Sequence, residues 1–310
     1  MQDTIGIDIS KPILDAFRLA TGEHRQFPND KPGCKALMRW IGKAPARVVF
    51  EPTGPYHRVL EQSLTKAGID LVKVNPRYAR RFAEATGQLA KTDRIDAALL
   101  ARMAVVLDLE ARPARSEIHH DLRELSVARQ ALIKDRVAAR NREQVAQNAL
   151  VRRQIKARLG QIGKQIGEIE QAMAAIIGAD EALRRRREIL ASIPGIGPIT
   201  AMAIIVEMPE LGDLDGKQAA SLAGLAPITR ESGGWKGRSR IHGGRASLRR
   251  GLYMPALVAL RINPDLRRKY QALKDAGKPS KVAIAAIMRK LIVLANALIR
   301  DNRKWSQNAT

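Results

Sequence analysis

Asp8, Glu51, Asp93 and Asp96 are the side chains whose type and spacing best support chemistry. Asp8 stands in Gly6-Ile7-Asp8-Ile9-Ser10, and Glu51 follows Val48-Val49-Phe50, so each sits at or near the end of an apolar, strand-like run. Asp93 and Asp96, in Lys91-Thr92-Asp93-Arg94-Ile95-Asp96, lie three apart and share a face if the segment is helical. Four hard oxygen ligands brought together suit Mg²⁺, with Mn²⁺ as a substitute. Two such ions about 3.5–4 Å apart can stabilise the attacking and leaving oxygens of a phosphoryl transfer. Each acid alone has a plainer reading. Asp8 can close a turn through Ser10 and Lys11, Glu51 can cap a helix beginning near Tyr56, and Thr92-Asp93-x-x-Asp96 is a capping arrangement.

A second group of candidates lies beyond residue 190. Ile193-Pro194-Gly195-Ile196-Gly197, followed by an apolar helix over 199–206, reads as a helix-hairpin-helix motif. Its turn, with Gly195 and Gly197, offers backbone N–H groups to a phosphate without reading sequence. A plain helix–helix turn is the alternative. Ser232 lies among Arg230, Lys236, Arg238 and Arg240, cations that lower the cost of an alkoxide attacking a phosphodiester. Most loop serines, however, are solvated or form turns. Arg249 and Arg250 are further candidates for phosphate contact. The arginine run 184–187 reads as a solvated helix face sooner than as a phosphate clamp. The five histidines show no metal-ligand spacing, and only His242 lies in the basic loop.

The elements that must position these residues alternate at first. Strands over 4–9, 13–20, 47–51 and 71–74 and helices over 35–41, 57–66 and 77–86 predict an α/β sheet with its site at the carboxyl ends of the strands. Ile155, Leu159, Ile162, Ile166, Ile169, Met173 and Ile176 then recur with the spacing of a coiled-coil seam. Ile118, Leu122, Leu125 and Leu132 carry a similar phase before an Arg-rich stretch over 136–142. Two long helices are expected, paired as an antiparallel hairpin or between subunits. Gly160, Gly163 and Gly167 cost about 1 kcal/mol each in helix propensity and would be explained by close helix approach. From 217 onward the pattern is helical, apart from a Gly-rich basic loop over 231–244, with the last helices at 246–262 and 281–300. The expected domains are therefore 1–110, 111–190 and 191–310.

Charge separates these regions. Lys and Arg number 54 against 31 Asp and Glu, a formal net charge of +23 that suits nucleic acid. Residues 1–110 hold 17 basic and 13 acidic side chains, 111–190 hold 17 and 10, and 191–310 hold 20 and 8. The first region reads as the metal-binding part and the last as the part that grips phosphates. Aromatics are only 4%, so base stacking does not carry the affinity. A single cysteine, Cys34, excludes an internal disulfide and a Cys-rich zinc site. No apolar run of the ~18 residues needed to span a bilayer is expected, and the start of the chain lacks the pattern of a signal peptide. The expected compartment is the cytoplasm.

These motifs, in order, resemble one family. Gly6-Ile7-Asp8-Ile9-Ser10-Lys11, Glu51-Pro52-Thr53-Gly54, Val74-Asn75-Pro76 and Lys91-Thr92-Asp93-Arg94-Ile95-Asp96-Ala97 resemble the amino-terminal domain of the DEDD transposases of the insertion-sequence-110 family, related to Piv-type DNA invertases. Leu222-Ala223-Gly224-Leu225-Ala226-Pro227, Glu231-Ser232-Gly233 and Leu248-Arg249-Arg250-Gly251-Leu252-Tyr253-Met254 resemble its carboxy-terminal transposase domain. Pro52 departs from the small residue usual after the family's Glu.

The resemblance implies an α/β plus α chain: an RNase H-like (RuvC-like) domain, long coiled-coil helices that mediate dimerisation, and a helical carboxy-terminal domain. It implies an acidic tetrad at Asp8, Glu51, Asp93 and Asp96, and a nucleophilic Ser232 that forms a phosphoserine with one DNA strand. It further implies donor and target DNA as substrates, a structured bridge RNA that pairs with both, and a homodimer or homotetramer with an active site composed from two protomers. Taken without the family, the residues leave open a junction resolvase that uses water and an actin-like ATPase or sugar kinase.

Overall fold

A computed structural model of the chain describes residues 3–88, 90, 92–111, 116–229, 231–237 and 239–306. It forms two compact units, Met1–Ser116 and Glu117–Thr310. The first is a five-stranded sheet with helices on both faces. Its strands are β1 (Asp3–Ile9), β2 (Ile13–Arg18), β3 (His24–Pro28), β4 (Ala46–Phe50) and β5 (Asp70–Lys73), in the order β3-β2-β1-β4-β5. β2 is antiparallel to both β1 and β3, whereas β4 is parallel to β1 and β5 to β4. The helices are α1 (Lys31–Ile41), α2 (Arg58–Lys66), α3 (Pro76–Ala85) and α4 (Asp93–Val106).

Side-chain alternation along β1 assigns the faces. Ile5, Ile7 and Ile9 are buried with Cys34 and Leu37 of α1 and Leu60 and Leu64 of α2. Gly6 points the other way, towards α4. A Cβ there would lie 1.9 Å from the Ala97 carbonyl oxygen and 2.7 Å from the Ala101 nitrogen. Only a residue without a side chain lets α4 lie this close to the strand. Val49, Val72 and Val74 complete that layer against Leu100, Met103 and Ala104.

The first unit differs from the sequence expectation in three places. β3 was not expected, because His24-Arg25-Gln26-Phe27 has no apolar alternation; it forms an edge strand on β2. β2 ends at Arg18, short of residue 20. Helix α1 starts four residues before the expected position, at a cap in which Asp30 accepts from the Gly33 N–H and a proline occupies the first turn.

The second unit contains α5 (Glu117–Val145), α6 (Ala149–Ala179), α7 (Glu181–Ser192), α8 (Pro198–Glu207) and α9 (Gly216–Leu222). Four two-residue strands follow: β6 (Pro227–Ile228), β7 (Glu231–Ser232), β8 (Trp235–Lys236) and β9 (Arg240–Ile241). The chain closes with α10 (Ala246–Gly251), α11 (Tyr253–Ile262), α12 (Pro264–Asp275) and α13 (Ser280–Arg300). The segment expected as one helix over 246–262 is thus broken at Leu252. Helices α5 and α6 pack as a hairpin, joined across its length by the Arg129–Glu170 ion pair at 2.7 Å. Arg123 and Gln130 of α5 both reach the buried Glu207 and so fasten the hairpin's base to α8. The seam buries Ile162, Ile166 and Met173, and ends on Ile177 where Ile176 was expected.

Two expectations are corrected here. Space is open within 4 Å of a Cβ at Gly160, Gly163 or Gly167, so close approach of helices within one chain does not account for these glycines. Helix α13 is long and apolar enough to cross a membrane by length and composition, contrary to the reading of the sequence. In the structure Ile284, Ile287, Leu291, Ile292 and Leu298 lie in the core of the second unit. The arginine run also differs from a solvated face. Arg186 donates to the Pro209 and Leu211 carbonyls at 3.0 and 2.6 Å, and its burial lowers its pKa.

The contact between Gly6 and α4 yields a direct prediction. Gly6→Ala should destabilise the first unit by about 3 kcal/mol, the upper part of the usual overpacking range, because a backbone carbonyl cannot yield as a side chain would. Urea denaturation followed by circular dichroism checks this; a loss below about 1 kcal/mol would mean that α4 sits further from β1.

Candidate functional site

The close packing of α4 on β1 sets the geometry of the acids. Asp8 shares the Gly6 face of β1 and is half-buried. Glu51 follows the last residue of β4, which runs parallel beside β1, so both acids emerge at the same edge of the sheet. Helix α4 begins over this edge. Thr92 caps it by accepting from the Ile95 N–H, which places Asp93 and Asp96 in its first turn. Capping therefore belongs to Thr92, and acids in a first helical turn are also favoured by the helix dipole.

All four carboxylates line one cleft of about 350 Å³, together with Ile9, Thr53, Arg80 and Gln88. Asp8 feels this crowding. Its carboxyl is pushed up to about 6, first by burial, then by the negative charges of Asp93 and Asp96, and further by Glu51, against a lowering hydrogen bond from the Ile9 N–H. Among the described residues no three His, Cys, Asp or Glu side chains converge closely enough to enclose a single ion. The acids are thus close enough to repel one another and too spread to form a finished coordination shell.

A hard divalent cation fits this donor set. The ligands are oxygens, the cleft has room for water ligands, and a positive charge would relieve the repulsion that raises the Asp8 pKa. Arg80 was not singled out in the sequence. It stands on the exposed side of α3 beside Glu84, at 3.3 Å, and supplies a cation on the wall of an otherwise acidic cleft. Its one local signal in the sequence is the i,i+4 spacing to Glu84.

The second unit holds the remaining candidates. Ser232 is exposed at the end of β7, paired with Trp235 of β8 across the turn Gly233-Gly234. Gly233 has φ +54°, a conformation that favours glycine. A second ladder pairs Pro227 with Ile241 and Ile228 with Arg240. What the sequence presented as a Gly-rich loop is therefore a narrow β-arm with Ser232 next to its tip. Arg240 and His242 are exposed on its returning strand and beyond it. Arg230 and Arg238 lie outside the described residues, as does the side chain of Lys236.

Arg250 is exposed on α10, whereas the neighbouring Arg249 turns to the backbone and donates from Nη1 to the Gly243 and Gly224 carbonyls, at 2.7 and 3.2 Å. The turn between α7 and α8 divides its two glycines. A Cβ on Gly195, at φ +95°, would lie 2.5 Å from the Pro255 carbonyl oxygen, so this glycine serves packing against α11. Gly197 is exposed as the N-cap of α8 and has open space beside it.

Comparison with known proteins follows the same order along the chain. Residues 5–147 match a family model of DEDD type described as a transposase. Residues 187–271 match the model of the transposase IS116/IS110/IS902 family. The chain is 30% identical to the pilin gene-inverting protein of Moraxella bovis over 314 residues, covering 98% of this chain and 97% of that protein. The pilin gene-inverting protein of Moraxella lacunata is 29% identical with the same coverage. An uncharacterized 42 kDa protein of insertion element IS900 from Mycobacterium paratuberculosis is 32% identical over 140 residues, 42% of this chain and 34% of that one.

The raised Asp8 pKa gives a stability prediction with a definite sign. A carboxyl whose folded pKa lies above its ordinary value binds more protons in the folded state, so its ionisation costs stability as pH rises from about 4 to about 6. Asp8→Asn should therefore stabilise the metal-free protein at pH 7 by about 1 kcal/mol, after allowance for the screening of a half-buried group. The gain should vanish below pH 4. Thermal unfolding in chelator across that range checks it; a gain independent of pH would remove the electrostatic cause.

Proposed function

The chain belongs to the IS110 family of DEDD transposases and is a DNA transposase or recombinase, and from that premise we propose that it cuts and rejoins strands through a covalent bond to Ser232. The observation that carries the reading is the single cleft that gathers Asp8, Glu51, Asp93 and Asp96. The strand order β3-β2-β1-β4-β5, with an antiparallel first half, supports an RNase H-like domain around that cleft. Family membership sets aside the actin-like reading.

In this proposal the four acids hold Mg²⁺, most naturally two ions whose shells are completed by water and phosphate oxygens. Bound there, the metal would neutralise charge on the scissile phosphate. Ser232 Oγ attacks the phosphorus and loses its proton. The P–O3′ bond breaks, the freed 3′-oxygen takes a proton, and the serine carries the 5′-phosphate. A 3′-hydroxyl from the other duplex then attacks this phosphoserine and releases Ser232 with its proton restored. One phosphodiester is exchanged for another and no external energy source is consumed. The exposed place of Ser232 beside an arm tip supports a nucleophile presented to a site elsewhere, including the cleft of a second protomer.

Arg230, Lys236, Arg238, Arg240 and Arg250 are proposed to neutralise phosphates, and Gly197 to offer the α8 N-terminus to one. The helix-hairpin-helix reading rests on that turn. A bridge RNA as the source of sequence choice agrees with many cations and few aromatics: such a protein grips backbones and leaves base reading to pairing. Assembly as a dimer or tetramer is supported by apolar residues exposed along the α5–α6 hairpin, Val137, Val145, Leu150 and Val151. The cytoplasm is the proposed compartment.

Three outcomes test the proposal. Ser232→Ala and Asp96→Ala should each lower transposition of the cloned element by about a thousandfold or more, with binding to generic duplex DNA retained. A Ser232–DNA adduct should be recoverable from the wild type and lost in chelator. Strand cleavage by Ser232→Ala at the wild-type rate would instead make water the nucleophile, the resolvase chemistry. RNA sequenced from the purified protein should be one discrete structured species; a random mixture would remove the guide.

A further inference from the structure

The arm that carries Ser232 leaves and re-enters the helical unit at a crossing too tight for side chains. It departs through Gly224, at φ +68°, in the turn that ends α9, and returns through Gly243 and Gly244, at φ +73° and +59°. A Cβ on Gly224 would lie 2.4 Å from the Gly243 carbonyl oxygen, and one on Gly244 would lie 2.2 Å from the Gly224 nitrogen. The two feet of the arm are therefore in backbone-to-backbone contact. Arg249 fastens them to each other through the Gly224 and Gly243 carbonyls, and the Arg245 N–H donates to the Leu222 carbonyl at 2.8 Å.

A second fastening sets the direction of the crossing. Arg245 donates from Nη1 and Nη2 to the two carboxylate oxygens of Glu210, both at 2.8 Å, the forked geometry that fixes angle as well as distance. Glu210 belongs to the loop between α8 and α9, and that loop is itself held from two sides. Arg186 of α7 donates to the Pro209 and Leu211 carbonyls. The buried Asn296 of α13 accepts from the Gly212 N–H at 2.8 Å and donates to the Leu214 carbonyl at 2.6 Å. A connected path thus runs from the core helices through the loop and the Glu210–Arg245 fork to the foot of the arm. Beyond this foot the described residues of the arm form two short ladders and are largely exposed.

We infer that Glu210 and Arg245 are positioning residues for the reaction: their forked ion pair, with the Arg249 clamp, aims the arm and hence Ser232. The inference rests on the proposed role of Ser232. It assigns Arg249 to holding the arm where the sequence suggested a phosphate contact. A small rotation at the foot is magnified at the tip, so an aiming pair should affect the rate of bond exchange while leaving nucleic-acid affinity alone.

The test uses the full chain. Glu210→Gln keeps the shape and removes the charge; Arg245→Lys keeps the charge and removes the fork. For Glu210→Gln we expect faster hydrogen exchange at the amides of residues 228–241 and transposition of the cloned element lowered about tenfold. Affinity for a random-sequence DNA duplex and the unfolding temperature should stay at wild-type values, and Arg245→Lys should fall between. Unchanged exchange with wild-type transposition overturns the inference. So does a loss of duplex affinity in step with activity, which would make the pair a nucleic-acid contact. If Glu210→Gln does not fold, Arg245→Lys carries the same measurements. If the wild type yields no Ser232–DNA adduct, the serine reading fails, and the exchange data alone decide whether the pair anchors the arm.

Discussion

The first unit depends on the absence of one side chain. Gly6 lets α4 approach β1 until an added Cβ would collide with the Ala97 carbonyl. That approach places the first turn of α4, and with it Asp93 and Asp96, over the strand ends that carry Asp8 and Glu51. Any larger residue at Gly6 lifts the helix and opens the cleft. Packing and chemistry are thus one problem here: the apolar layer of Val49, Val72, Leu100 and Met103 draws α4 down, and the acids follow.

Gathering four carboxylates works against stability, and the raised pKa of Asp8 records it. Hydrophobic burial on both faces of the sheet offsets that cost. The resulting cleft is held in a charge state that favours cations, which accords with the divalent-metal dependence that a DEDD-type transposase suggests. The four acids share one cleft without closing on a single point.

Much of the first unit was legible in the sequence because its signals are local. Alternating apolar runs fixed β1 and β4, and with them the strand-end positions of Asp8 and Glu51; Thr92 announced the start of α4. What stayed hidden depended on partners distant in sequence. His24-Arg25-Gln26-Phe27 becomes a strand only because β2 lies beside it. The serine-bearing arm is built from two-residue ladders set among glycines and arginines, with no period to detect. The Glu210–Arg245 fork joins residues 35 apart, and neither residue type at its own position marks the pairing. The buried α13 also lay beyond a count of apolar runs, because its interspersed polar residues conceal how apolar the whole helix is.

Helix α13 has a consequence in time as well as in space. It follows in sequence the helices against which it packs most closely, α7, α9, α11 and α12. During synthesis the amino-terminal sheet can close as soon as α4 is made, whereas the apolar faces of the second unit must wait for their last partner. Chain order therefore favours maturation in two stages, sheet first and helical unit last. In the interval the longest apolar helix and its receiving groove are both newly made and not yet joined, which is when such a chain most needs protection from aggregation.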